Sequence, residues 1–89
     1  MRAIITVIGT DCVGIIAGVS AVLVKYNVNI LDMNQTTMQG LFTMIMLVDM
    51  SKSRTSFEKL AEVLETNGNE LGMKIHIQHE DVFKSMHRI

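Results

Sequence analysis

Thr6-Val7-Ile8-Gly9-Thr10-Asp11-Cys12-Val13-Gly14-Ile15-Ile16-Ala17-Gly18-Val19 carries a β-type run into a glycine-bounded loop and then into a helical pattern. Just upstream, Ala3, Ile5 and Val7 form one alternating set, while Ile4, Thr6 and Ile8 form the other. Both sets are apolar or nearly so, which predicts a strand over residues 2–8, buried on both faces and ended by Gly9. From Val13 to Tyr26 the apolar residues recur at helical spacing, with Ile16, Val19, Leu23 and Tyr26 as the expected core stripe. Ile15, Val22 and Val24 spread apolar character over the other faces. Such a helix needs cover from a second helix or another subunit as well as from a sheet. Asn27 is its expected stop, because asparagine tolerates the left-handed C-cap.

Outward from this stretch, Asn29–Met38 and Leu41–Met50 read as two strands joined by Gln39-Gly40, where glycine supplies the positive φ of a tight hairpin. The first of them sets Asp32, Asn34 and Thr36 against Leu31 and Met33, a half-buried pattern. The second is apolar on both sides, with Phe42, Met44, Met46 and Val48 opposed to Leu41, Ile45 and Leu47, and reads as central. Thr55-Ser56-Phe57-Glu58 has capping-box spacing, which places Thr55 at the N-cap and Glu58 at N3. The helix it opens turns Phe57, Leu60, Ala61, Leu64 and Leu71 inward; Gly68 weakens it and Gly72 caps it. Met73–Gln78 alternates as a half-exposed strand. Residues 80–89 form a tail with a short helix from Asp81, whose Val82, Phe83, Met86 and Ile89 are expected to lie on the body.

The order is β-α-β-β-α-β, with the first and third strands the most apolar. That burial pattern predicts an α+β, ferredoxin-like sandwich: an antiparallel four-stranded sheet of order 4-1-3-2 with two helices on one face. The expectation is one domain spanning residues 1–89. A chain of 89 residues buries a modest core, and its single cysteine, Cys12, cannot form an internal disulfide. Dimerisation is the expected source of extra stability. The net charge of −1 offers no basic field to hold nucleic acid or a membrane surface. No signal-peptide pattern or apolar stretch of about 18 residues is present, so the expected location is the cytoplasm.

The loop Gly9–Gly14 is the candidate site. A helix N-terminus directs backbone amides and the positive end of the dipole at a carboxylate or phosphate. The G-x-x-x-x-G spacing lacks a P-loop's lysine, since Ile15-Ile16 follows it. The plainer reading of the bare loop is a turn in which Asp11 caps the helix. Cys12 has no histidine locally paired with it, and His76, His79 and His87 show no metal spacing. No catalytic residue, metal ligand or cofactor is expected.

The stretch quoted at the outset, followed by Asn27-Val28-Asn29-Ile30, resembles the signature of the ACT domain family. In that family a strand leads to a loop ending in Arg-Pro-Gly, then an apolar helix, then Gly-x-Asn-Ile opening the second strand. Gly14 matches the family glycine and Asn29-Ile30 the Asn-Ile pair; Cys12 and Val13 stand where Arg-Pro is usual, and Asn27 replaces the second glycine. Ile30-x-x-Met33-x-Gln35-Thr36, Phe42-Thr43-Met44 and the segment from Gln78 to Ile89 are similar to a subgroup of small stand-alone ACT proteins of bacteria and archaea. That subgroup is similar to the ACT units of the glycine-cleavage repressor and formyltetrahydrofolate deformylase.

The resemblance implies a regulatory module that binds a small molecule, an amino acid, at a homodimer interface. By analogy with the serine-binding domain of phosphoglycerate dehydrogenase, it implies that Asp11 meets the ligand ammonium, that loop amides over Cys12, Val13, Gly14 and Ile15 meet its carboxylate, and that Asn29, beside Ile30, bridges to the partner subunit. Where that enzyme's loop has a histidine this chain has Gly9, so serine specificity is not implied. The alternative is a ligand-free interaction module docking on a metabolic enzyme or regulator, through the Asp32, Asn34 and Thr36 face or the edge of the fourth strand.

Overall fold

The computed structural model describes residues 1–10 and 14–86. Its elements are β1 (Arg2–Gly9), α1 (Ile15–Lys25), β2 (Asn29–Met38), β3 (Leu41–Asp49), α2 (Phe57–Leu71), β4 (Lys74–His79) and α3 (Glu80–Met86). The four strands form one antiparallel sheet in the order β2-β3-β1-β4, which is the expected 4-1-3-2 arrangement. β1 is paired along its whole length with β3, from Arg2 opposite Asp49 to Gly9 opposite Phe42, and with β4 from Ala3 to Ile8.

The core lies between the sheet and the α1/α2 layer. Ala3, Ile5 and Val7 of β1 and Val48 of β3 are fully buried, with Met44 and Met46 beside them. The other face of β1 corrects the sequence expectation. Ile4 is buried, but Thr6 is half-buried and Ile8 is 42 % exposed. Strand apolarity marks residues that can be buried, and here the second face is only partly covered. β2 departs further, because all ten of its residues are exposed. An edge strand beyond the reach of both helices loses cover on both sides.

α1 buries Ile15, Val19 and Leu23, with Tyr26 half-buried. The expected stripe began at Ile16 instead, and Ile16 is exposed. Asn27 takes the left-handed conformation at φ 59°, and Gln39-Gly40 turns the hairpin at φ 49° and 82°, both as expected.

The start of α2 differs from the capping-box expectation by one residue. Ser56 is the N-cap, and its Oγ accepts from the amide of Lys59 at 3.2 Å. Thr55 lies outside the helix, where its amide donates to Ser53 Oγ and its carbonyl accepts from the same hydroxyl. Leu60 and Leu64 are buried and Leu71 is exposed. Gly72 closes the helix at φ 72°, as expected. Gly68 has a packing reason: a Cβ there would lie 2.9 Å from Ile75 Cγ1 and 2.9 Å from the Met73 carbonyl oxygen. Only glycine lets α2 approach β4 so closely.

α3 begins at Glu80, one residue before the expected start. It packs against β1 and β4, and Glu80 is paired with Arg2 and, at 3.7 Å, with Lys84. Phe83 is half-buried while Val82 is 48 % exposed. The expected contact of Ile89 falls outside the described residues. Among the described residues no helix is long and apolar enough to cross a membrane.

Two substitutions test the cap assignment. Ser56→Ala should cost about 1 kcal/mol in urea unfolding, while Thr55→Ala should change stability by only a few tenths. The reverse order would restore Thr55 as the cap. Gly68→Ala should destabilise by roughly 1–3 kcal/mol, despite the helix-propensity gain of about 1 kcal/mol.

Candidate functional site

Strand direction decides where each candidate residue lies. β1 runs from the end of the sheet that holds Asp49 toward the end that holds Phe42. Its exit delivers the loop to Gly14, which takes the left-handed conformation at φ 78° and starts α1. Gly14 has no side chain to cap the first turn. Ile15 follows with its side chain wholly in the core, leaving its backbone amide as the group it can offer a ligand. Asp11, Cys12 and Val13 lie outside the described residues, and so does the reading of Asp11 as a helix cap.

Asn29 lies at the opposite end, opposite Asp49 in the strand pairing and level with Arg2. Eight residues of β1 separate the two levels, roughly 20 Å at the usual rise per residue. The fold therefore brings Gly14 and Ile15 together at one end and Asn29 and Ile30 together at the other. Within one chain the two groups cannot touch a common small ligand.

The Asn29 end has its own pocket of about 500 Å3, lined by Val24, Asn27, Val28, Asn29, Asp49, Ser51 and Lys52. Its walls are the α1–β2 connection and the chain leaving β3. Asn27 Nδ2 donates to the Lys52 carbonyl at 2.9 Å, and the Arg54 amide donates to the Tyr26 carbonyl at 2.8 Å. These bonds tie the two segments together. Asp49 accepts from the Ser51 amide at 3.0 Å and from the Ser51 hydroxyl at 3.1 Å. Those two hydrogen bonds hold its carboxyl below the usual range, with smaller help from the amino terminus and Arg2. The negative end of the α1 dipole lies nearby. Lys52 lines the same pocket, and the Met1 ammonium lies 4.0 Å from Asp49 Oδ1, so this carboxylate already has cationic neighbours. Sequence reading missed Asp49, Ser51 and Lys52. The Asp-x-Ser spacing was visible as a turn signal, but its position beside Asn29 comes from strand pairing.

The Gly9 end is apolar beneath. A Cβ on Gly9 would fall 1.6 Å from the Met73 sulfur. Met73, 5 % exposed, thus occupies the space that a side chain at position 9 would need. Sequence reading gave Met73 only a strand role.

His76 and His79 do not assemble. The His79 ring stacks on Phe57 with centroids 4.3 Å apart, and His76 is exposed on the other face of β4. His87 lies outside the described residues. Among the described residues no cluster of His, Cys, Asp or Glu has metal-site geometry.

Comparison with known proteins agrees with this architecture. The family model described as ACT domain matches residues 2–78. The chain is 56 % identical over 89 residues, the full length of both chains, to the UPF0237 protein of Clostridium acetobutylicum. The structure of an ACT domain protein from Streptococcus pneumoniae superposes with a TM-score of 0.82 at 40 % identity, covering 94 % of each chain. The same fold recurs in 27 % of a formyltetrahydrofolate deformylase from Pseudomonas syringae (TM-score 0.78, 23 % identity, 88 % of this chain). It recurs also in 44 % of a putative glycine cleavage system transcriptional repressor (TM-score 0.69, 24 % identity, 86 % of this chain).

Acid should report two of the hydrogen-bonded carboxylates. Asp49 and Glu80 both titrate below their ordinary values, Glu80 chiefly through its hydrogen bond from Arg2. A carboxylate with a lowered folded-state pKa contributes its full stability above the unfolded value, about 4, and loses it as pH falls through the folded value. Melting temperature against pH should therefore fall less steeply at the acid end in Asp49→Asn and in Glu80→Gln than in the parent. Superimposable acid limbs would show that neither pairing persists in solution.

Proposed function

The chain belongs to the ACT domain family, whose members are regulatory ligand-binding modules, and on that premise we propose that it is a homodimeric, non-catalytic amino-acid sensor whose site is shared between subunits. One observation carries this reading: an exposed apolar surface that runs from α1 onto an unpaired strand edge. Ala17, Ala21 and Val24 line the outer side of α1, with Val24 78 % exposed. β2 adds Ile30, Leu31 and Met33 at 38 %, 44 % and 42 %. β2 is also an edge strand, and unpaired strand edges invite pairing with a further chain.

A two-fold copy satisfies both demands with one surface. Antiparallel pairing of β2 with its mate continues the sheet, and α1 then lies along the partner's α1. Ala17 and Ala21 permit close approach of the two helices. A self-complementary contact of this kind is the commonest route to a closed dimer.

The same symmetry solves the separation of the site residues. In an antiparallel pair, the loop end of one subunit lies beside the Asn29 end of the other. The ligand carboxylate would take the amides of the α1 N-terminus, around Cys12 to Ile15. Its ammonium would meet Asp11. Asn29 of the partner subunit, with the pocket around it, would close the site. No group in this arrangement is asked to perform a reaction.

Thermal melting against the twenty amino acids and folates tests the sensing. A ligand at about 100 times its dissociation constant adds ~2.7 kcal/mol, which at this size raises the melting temperature by roughly ten degrees or more. Asp11→Ala and Asn29→Ala should each abolish the rise for that compound. Mixing the two variants should restore it at about a quarter of all sites, because random exchange makes about half of the dimers mixed and one of the two sites of a mixed dimer receives both intact residues. Failure to restore would place both residues in one subunit or neither in the site; a flat panel would remove the sensing role. Val24→Glu should shift sedimentation from dimer to monomer.

A further inference from the structure

α3 crosses one end of the sheet face that α1 and α2 leave uncovered, and the corner it makes with that face is a groove. Its volume is about 760 Å3, within the range of roughly 300–1,000 Å3 usual for small-molecule sites. Thr6 and Ile8 of β1 and Ile45 of β3 form the floor, and Phe83 of α3 forms a wall. Ile8 and Ile45 are still 42 % and 37 % exposed, so an apolar body laid on them removes apolar surface from water.

Charge is supplied along β4. Lys74 and His76 line the groove and alternate onto the same side of the strand, roughly 7 Å apart. Neither makes an ion pair with a described residue. The nearby acid of α3, Glu80, is already engaged by Arg2 and Lys84. The groove continues past the edge of β4 to Glu65 and Asn69 of α2, so its outer end carries a carboxylate. One lysine ammonium, one imidazole as a hydrogen-bond donor and one repelling acid at the rim suit a single negative charge better than a phosphate dianion.

We propose that this groove is a second ligand site that takes a small monocarboxylate with an apolar body. Lys74 and His76 hold the carboxylate, and Ile8 and Ile45 support the body. The groove lies on the face of the sheet away from α1, so pairing through β2 and α1 leaves it open. It stands independently of the amino-acid site, with which it shares no residue.

Nitrogen-15 NMR of the whole chain tests this with benzoate as the probe and benzamide as its neutral twin. Benzoate should shift the amides of Thr6, Ile8, Ile45, Lys74 and His76. Benzamide should bind at least about tenfold more weakly, the worth of one charge-assisted hydrogen bond. Lys74→Gln, an exposed change that leaves the spectrum folded, should lower benzoate affinity to the benzamide level. Any of four results would overturn the proposal: no shifts with benzoate, shifts centred on Gly14 or Asn29 instead, equal binding of the two probes, or unchanged affinity in Lys74→Gln.

Discussion

β1 is hydrogen-bonded on both sides, and the rest of the molecule is built around that double pairing. Its inner residues, Ala3, Ile5 and Val7, have no exposure at all. Ile5 is level with Met46 on one flank and Ile77 on the other, so one row of side chains crosses three strands. α1 and α2 then need only to cover that row. Because strands β1 and β3 run in opposite directions, the register that buries Ile5 also sets where everything else arrives. It sends the loop to the Phe42 end and leaves Asn29 at the Asp49 end. A one-residue slip would turn Ala3, Ile5 and Val7 to the outer face.

Two glycines act through what they leave room for. Gly68 lets α2 sit against Ile75 and the Met73 carbonyl, and Gly9 yields its side-chain space to the Met73 sulfur. Both serve the same short segment between α2 and β4. Met73 can fill such a gap because its unbranched thioether adapts to irregular space. The segment therefore packs against the end of β1 at Gly9 as well as returning the chain into the sheet.

The uneven cover of the sheet connects stability to function. The helices shield β1, β3 and β4 on one face, while β2 is exposed along its length and α3 shields only part of the other face. A domain of 89 residues has little core to spare. Apolar surface left on α1 and β2 is thus where association would contribute most, and the proposed dimer would join there residues that one chain holds roughly 20 Å apart.

Much of this was legible in the sequence, for reasons that are local. Alternation in residues 2–8, helical spacing after Gly14, the Gln39-Gly40 turn, Asn27 and Gly72 each fix backbone geometry within a few residues. The run from Thr6 to Val19 with Asn29-Ile30 carried the family. What local pattern cannot hold is how much of an apolar strand is covered, since that depends on which elements lie above it. Ile8 and β2 were misjudged for that reason. Ser56 and Thr55 offered two hydroxyls one residue apart, and only the path of the chain out of Ser53 chose between them. Ile15 and Ile16 are likewise both apolar, and the angle at which α1 docks selected the first. The neighbourhoods of Asn29 with Asp49, of Gly9 with Met73, and of Lys74 with Ile45 across the open face join residues far apart in the chain. Tertiary pairing alone creates them, because a side chain's partners across a sheet are set by register and not by sequence distance.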